Sequence, residues 1–379
     1  MPTVARILFA VNSAWNLVNF RSGLIQALVG DGHEVLACAP PDAWVPRLSE
    51  LGCRFIAMPM DAQGTHPLRD AALCWRLLTV MRREQPDVVL GYTIKPNVYA
   101  SLAARWAGGV KVVNNIAGLG ATFIQPTWVT PVVKRLYRLA LNRSSTVFFQ
   151  NEDDRELFVD QGLVARGNTQ LLPGSGVDLQ RYAPADPRAA DGRFRFLMVS
   201  RLLWDKGVGE LVEAARRLRL RHPEVQVQLL GFLDVQNPSA IQRRDVQAWE
   251  SEGVIQYLGA SDDPRPYIAH SDCVVLPSYR EGTPRSLLEA AAMGKPLITT
   301  DVPGCRTVVE DGNNGFLCPA RDATALADQM SRMVMLNAAE RDAMGRQGRQ
   351  KMEREFDERL VIGHYRRAIA KALQPDRRP

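Results

Sequence analysis

Short apolar runs alternate with longer amphipathic stretches along nearly the whole chain. RILFAVN (6–12), HEVLACAP (33–40), CRFIAMPM (53–60), DVVLGYTI (87–94), VKVVNNI (110–116) and TVFFQ (146–150) read as strands. Their apolar residues run on without alternating, as expected for strands covered on both faces. Between them lie amphipathic segments. One runs from Asn16 to the stop signals Gly30 and Gly32, and others lie over 69–85 and 97–108. Over 173–192 the rhythm lapses into PGSGVDLQRYAPADPRAADG, whose Pro, Gly and Asp content reads as a linker. It then restarts, with strands over 194–202, 225–232, 254–260, 273–279 and 296–301 and a helix over 207–222.

This βα alternation predicts an α/β protein of two Rossmann-like, doubly wound parallel-sheet domains. The expected layout is a first domain over 1–175, a linker over 176–192, a second domain over 193–355, and a C-terminal helix within 356–379 crossing back to the first domain. Ligands of such sheets bind beyond the strand C-termini, so the site is expected in an interdomain cleft, on loops that follow strands.

Composition narrows the function classes. With 379 residues, 46% hydrophobic and 23% charged, the chain is neither disordered, collagen-like nor a coiled coil. No stretch approaches the roughly 20 apolar residues of a membrane span, and the start reads as a strand where a signal peptide would have a longer apolar core. The expectation is a soluble, cytoplasmic protein. Its six cysteines lack CxxC spacing and read as buried thiols, and the five histidines fit no metal pattern, so no metal or other cofactor is expected. A net charge of +6 suits anionic small molecules or an anionic membrane surface; nucleic acid is disfavoured, because no basic stripe interleaves with aromatics.

Candidate chemistry concentrates in the second half. Glu281-Gly282-Thr283-Pro284-Arg285-Ser286-Leu287-Leu288-Glu289 follows the strand CVVLPSY. Thr283 is a plausible N-cap and Pro284 fits the first helical position, so the amides near Arg285, Ser286 and Leu287 with the helix dipole form an anion site. At about 1.5 Å rise per residue the two carboxylates lie on the order of 10 Å apart, which lets one reach a sugar and the other a ribose with a diphosphate between them. Arg201-Leu-Leu-Trp-Asp-Lys206-Gly follows the strand FRFLMVS, and two cations at a strand end can neutralise a departing diphosphate. The plain alternative is a surface salt bridge to Asp205, disfavoured by the co-occurrence of both motifs. Gly118-Leu-Gly120 and Gly174-Ser-Gly176 complete no dinucleotide fingerprint and read as turns.

Arg201-x4-Lys206-Gly, Glu281-x7-Glu289, Ala-x-Gly-x-Pro, Asp301-Val-Pro-Gly304 and Gly176-Val-Asp178 together resemble the nucleotide-binding half of retaining GT-B glycosyltransferases of family 4. The resemblance is specific over about 170–330; the first half agrees mainly in strand rhythm. It implies that Arg201 and Lys206 hold the donor diphosphate and Glu281 contacts the transferred sugar. It further implies that Glu289 binds the ribose, that Gly282, Thr283, Ser286 and Leu287 line the donor, and that no metal is needed. The donor would be a nucleotide diphosphate sugar, UDP-linked, carrying a hexose or N-acetylhexosamine. NFRSGLIQAL, YTIKPNVYAS and VVNNIAGLG are similar to the subgroup that extends bacterial lipid-linked surface glycans, which implies a glycan acceptor on a polyprenyl diphosphate and a peripheral place on the inner face of the cell membrane.

Two departures leave the acceptor side open. Many relatives carry a Gly pair after the first strand, where this chain has Ser13-Ala-Trp15-Asn16, and many have a His where it has Gly91-Tyr92-Thr-Ile-Lys95. Asn16, Lys95 and Asn115 are acceptor-side candidates, although the asparagines also serve as turn formers. Residues 130–143 form a basic amphipathic segment with Val132, Val133, Leu136, Leu139 and Ala140 on one face. Two readings fit it: a helix docked on the first sheet, or a contact with an anionic membrane. A nucleotide-sugar epimerase and a non-catalytic sugar-nucleotide binder are the rival functions.

Overall fold

The computed structural model describes residues 4–61, 66–119, 123, 130–185, 191–235 and 237–374. The chain forms two compact units, Met1–Ser175 with Glu358–Pro379, and Gly176–Asp357.

The first unit is built on a parallel sheet in the order β3-β2-β1-β4-β5-β6-β7. Its strands are β1 Arg6–Ala10, β2 Glu34–Ala39, β3 Arg54–Ala57, β4 Val88–Tyr92, β5 Lys111–Ile116, β6 Thr146–Phe149 and β7 Thr169–Leu171. Alternate side chains of one strand feed opposite cores. Ile7 and Phe9 of β1 join Leu17, Leu28 and Tyr365 on one face, while Leu8 and Ala10 join Leu73, Leu77 and Ala100 on the other. Burial on both sides is why these strands read as unbroken apolar runs. Helices Ala14–Gly30 and Glu358–Leu373 lie on the first face, and Pro67–Glu84 and Ile94–Ala107 on the second. Ser13 caps the first helix, its Oγ accepting from the Asn16 amide at 3.2 Å.

The second unit has a parallel sheet in the order β10-β9-β8-β11-β12-β13. Its strands are β8 Phe194–Val199, β9 Val225–Leu230, β10 Gln256–Tyr257, β11 Cys273–Leu276, β12 Leu297–Thr300 and β13 Gly315–Cys318. In each unit the strand order reverses beside the first strand, at β1/β4 and at β8/β11, and such a reversal opens a crevice at the strand C-termini. All six cysteines are buried free thiols.

One expectation needs correction. The segment after Gly176 is no free linker: Val177 and Tyr182 are buried in the second core, and Arg349 clamps the segment by donating to the carbonyls of Leu179 (3.2 Å) and Tyr182 (2.9 Å). The C-terminal helix Glu358–Leu373 packs within the first unit, where Asn115 Nδ2 donates to Tyr365 Oη at 2.8 Å.

Candidate functional site

Lys206 and Glu281 meet at the second unit's strand reversal. Lys206 ends a tight turn, Trp204–Lys206, that follows β8, and Glu281 lies on the loop that follows β11. Lys206 Nζ donates to Glu281 Oε1 at 2.5 Å, with side chains 16% and 14% exposed. The two loops are stitched together by the backbone: the Tyr279 amide donates to Asp205 O at 3.0 Å, and the Glu281 amide to Pro303 O at 3.2 Å. Burial, with the Glu281 charge adding to it, pushes the nearby Cys305 thiol up to about 12.

Two glycines allow this approach. Gly207 has φ +76° and a Cβ there would lie 2.0 Å from Pro277 O; Gly304 has φ +81° and its Cβ would lie 2.3 Å from Gly282 O. Any side chain at 207 would force the Lys206 turn away from β11. Gly207→Ala combines left-handed strain of about 1–2 kcal/mol with overpacking of about 1–3 kcal/mol, so a loss of about 3 kcal/mol is expected in urea denaturation. A midpoint equal to wild type would contradict this account of the turn.

Glu289 sits on the helix Arg285–Ala292, which follows the Glu281 loop. The helix starts one residue later than the sequence pattern predicts. Pro284, not Thr283, is its N-cap, because ψ 111° at Pro284 is extended. The Leu287 amide is bonded to Pro284 O at 3.1 Å, as the first intrahelical turn requires.

The structure gives the Arg285 side chain a part in the site and adds Tyr182, which sequence reasoning passed over. Arg285 Nε donates to Glu289 Oε1 at 2.7 Å, with side chains 19% and 9% exposed. Burial pulls the basicity of Arg285 down, and the adjacent Glu289 carboxylate and Tyr182 hydroxyl more than restore it. Tyr182, from the supposed linker, has its hydroxyl pushed up by burial and by Glu289. The i,i+4 spacing of Arg285 and Glu289 was a readable signal. Nothing in the sequence marked Tyr182.

Arg201, two residues past the end of β8, is exposed, and its guanidinium makes no ion pair or hydrogen bond with any described residue. The Asp205 alternative is not realised: Asp205 Oδ1 accepts instead from Ser239 Oγ at 3.2 Å. The edge thus offers one unpaired cation, a second that spends one of its three N–H donors on Glu281, and a carboxylate further along held by Arg285. Such a set can bind a diphosphate and the polyhydroxyl groups attached to it.

The first unit's candidates are differently placed. Lys95 is nearly buried and paired with Asp70 at 2.7 Å, so its charge is already countered. Asn115 is buried at the end of β5 and ties the sheet to Tyr365. Asn16 lies in the first turn of the first helix. Beside them Thr93, just past β4, is held at φ +65°, a strained value for a side chain branched at Cβ. Gly118 and Gly174 are left-handed turn positions, as their context suggests; Gly120 lies outside the described residues.

Residues 182–351 match the family model described as glycosyl transferases group 1, and residues 19–175 match the model of a glycosyl transferase 4-like domain. A similar curated protein is the N,N'-diacetylbacillosaminyl-diphospho-undecaprenol alpha-1,3-N-acetylgalactosaminyltransferase of Campylobacter jejuni, 26% identical over 95% of this chain and 97% of that one. The UDP-Gal:alpha-D-GlcNAc-diphosphoundecaprenol alpha-1,3-galactosyltransferase of Escherichia coli is 24% identical over 74% of this chain and 75% of its own. A glycosyltransferase from Rickettsia africae superposes with a TM-score of 0.80 at 18% identity, covering 99% of this chain and all of that one.

Proposed function

We propose that this chain, which belongs to the group 1 glycosyltransferases and has their GT-B fold, moves a sugar from a UDP-linked donor to a glycan carried on a polyprenyl diphosphate, with retention of anomeric configuration. The observation that carries the reading is the Lys206–Glu281 pair at the strand reversal of the second sheet, with Arg201 exposed on the same segment after β8 as Lys206. The acceptor class is supported by the two relatives whose names specify diphospho-undecaprenol acceptors, and UDP by the galactosyltransferase's donor. The sugar is a hexose or N-acetylhexosamine in this reading, and no metal takes part.

As the anomeric C–O bond lengthens, negative charge gathers on the diphosphate and positive charge on the sugar ring. Lys206 and Arg201 stabilise the first, and Glu281 the second. The acceptor hydroxyl bonds to the anomeric carbon on the face the diphosphate leaves, and its proton passes to a departing phosphate oxygen. This route asks no general base of Asn16, Lys95 or Asn115, which suits residues that are an amide, an ion-paired ammonium and a buried amide.

A panel of nucleotide sugars screened by thermal shift identifies the donor, because a ligand that binds only the folded state raises its apparent stability. The matching donor should then yield a labelled lipid only when polyprenyl-diphosphate-linked glycan is added. Donor interconversion without acceptor would point to an epimerase, and binding with no turnover to a sugar-nucleotide binder; either overturns the proposal. Glu289→Gln should weaken donor binding about tenfold or more, from loss of about 1.5–3 kcal/mol of charge-assisted hydrogen bonding, with kcat little changed. Unchanged affinity on titration with UDP would remove Glu289 from the ribose.

A further inference from the structure

Helices Pro67–Glu84 and Ile94–Ala107 pack together on one face of the first sheet, and Thr130–Leu141 packs beside the second of them. Their outer surface is unusual in what it exposes. Leu68 is 78% exposed, Trp75 66% and Trp106 60%, and Val132 and Leu139 also face outward. The last two belong to the apolar stripe of the sequence pattern, of which Ala140 is buried, together with Tyr137 and Leu141 from outside the stripe. Large apolar side chains grouped on one face mark an interaction surface.

The charges on this surface have one sign. The three helices carry acids only at Asp70 and Glu84, both buried. Asp70 is taken by Lys95 at 2.7 Å, and Glu84 by Arg54 and Arg83. Asp61, on the loop before, is taken by Arg69 at 2.9 Å. Arg76, Arg82, Arg105, Arg135 and Arg138 remain at the exposed surface, with Lys134 half-buried beside them. The Arg82 guanidinium donates to Trp106 O at 3.3 Å and Arg105 to Leu139 O at 3.0 Å, which ties the three helices edge to edge and sets cations between the apolar side chains. The acidic helix Glu152–Asp160 bounds the face; Glu152 and Glu156 there pair with Arg155 and Arg166.

We propose that this three-helix face docks on an anionic phospholipid surface. Trp and Leu enter the headgroup boundary, and the arginines take lipid phosphates. Among the described residues no helix is long and apolar enough to cross a membrane, so the contact is one of surface attachment. The inference rests on the reading of a lipid-linked acceptor, and it widens the membrane contact from the basic helix alone to a face centred on Trp75 and Trp106.

The test is sedimentation of the full chain with vesicles of phosphatidylcholine alone or mixed with phosphatidylglycerol. Binding is expected only to the mixed vesicles and should weaken as salt rises. Trp75→Ala/Trp106→Ala should lower the affinity by about tenfold or more, and Arg82→Glu/Arg105→Glu should abolish the preference for phosphatidylglycerol. Transfer to a short-chain, water-soluble acceptor should match wild type in both variants, and thermal unfolding should match it in the tryptophan pair; the arginine pair also loses its bonds to the Trp106 and Leu139 carbonyls and is compared at a temperature where it remains folded. Equal binding to both vesicle types, or vesicle binding unaffected by the tryptophan pair, overturns the proposal. So does a wild-type dimer in solution that the tryptophan variant dissociates, which would make a second copy the occupant. Vesicle binding of the expected kind in a chain that transfers no sugar would leave this surface standing and remove the transfer reaction.

Discussion

Lys206→Ala and Glu281→Ala should each slow turnover roughly 30- to 1,000-fold, about 2–4 kcal/mol of barrier, with nucleotide affinity affected far less. The size follows from where each charge acts. Interactions that strengthen as the diphosphate departs lower the barrier, whereas those equal in both states change only binding. The pair is also largely buried, and breaking a buried pair by removing one member is costly, so each single variant should lose stability as well. Lost stability and lost chemistry are separated by Lys206→Met/Glu281→Leu, which removes both charges at similar volume. Stability should return toward wild type while kcat stays at or below that of the single variants. A double variant that recovers turnover would mean that the ion pair only holds the two loops together, and near-wild-type turnover in both single variants would remove the mechanism altogether.

How far the sequence disclosed this molecule depended on what each residue packs against. The strands were legible because both faces of each sheet are covered, which turns them into apolar runs that no helix of similar length imitates. Their ends were not: RILFAVN continues past Ala10 because Val11 and Asn12 carry the chain into the next helix cap. β7 and β13 escaped notice because Gly, Asn and Pro flank the few apolar positions of each and break the run. The Lys206 and Glu281 loops could be placed because both follow strands that the pattern reveals, although only the sheet order makes those strands neighbours. Tyr182 stayed hidden because Pro and Asp dominate its segment's composition, while two apolar side chains, Val177 and Tyr182, decide where it packs. Periodicity gave an amphipathic segment over 130–143, of which Thr130–Leu141 is helical, and left its orientation open, since Val132 and Leu139 of its apolar stripe face outward while Ala140 is buried. The strain at Thr93 has no signature at all, because a glycine would be the usual sign of that backbone conformation.

Ending the chain after Asp357 should unfold the first unit. The helix removed is no appendage. Val361, Tyr365, Ala368, Ile369 and Ala372 are buried in the core that also contains Phe9, Tyr92 and Phe148. Tyr365 is the largest fully buried side chain there, its ring centroid 5.0 Å from that of Phe148 and 6.1 Å from that of Tyr92, and its hydroxyl accepts from Asn115. Tyr365→Ala alone should cost about 3–5 kcal/mol, against a stability of roughly 5–15 kcal/mol for a typical domain. Tyr365→Phe keeps the ring and orphans the buried Asn115 amide, so about 1–3 kcal/mol is expected. The truncation loses all five side chains together, which exceeds what such a core can spare. Hydrogen exchange provides the readout: amides of β4 and β5 should lose protection in the truncated chain while those of β8 and β11 keep it. Protection retained in β4 and β5 would mean that the sheet closes its core without the helix, and the graded series Phe, Ala, truncation would then lose its order.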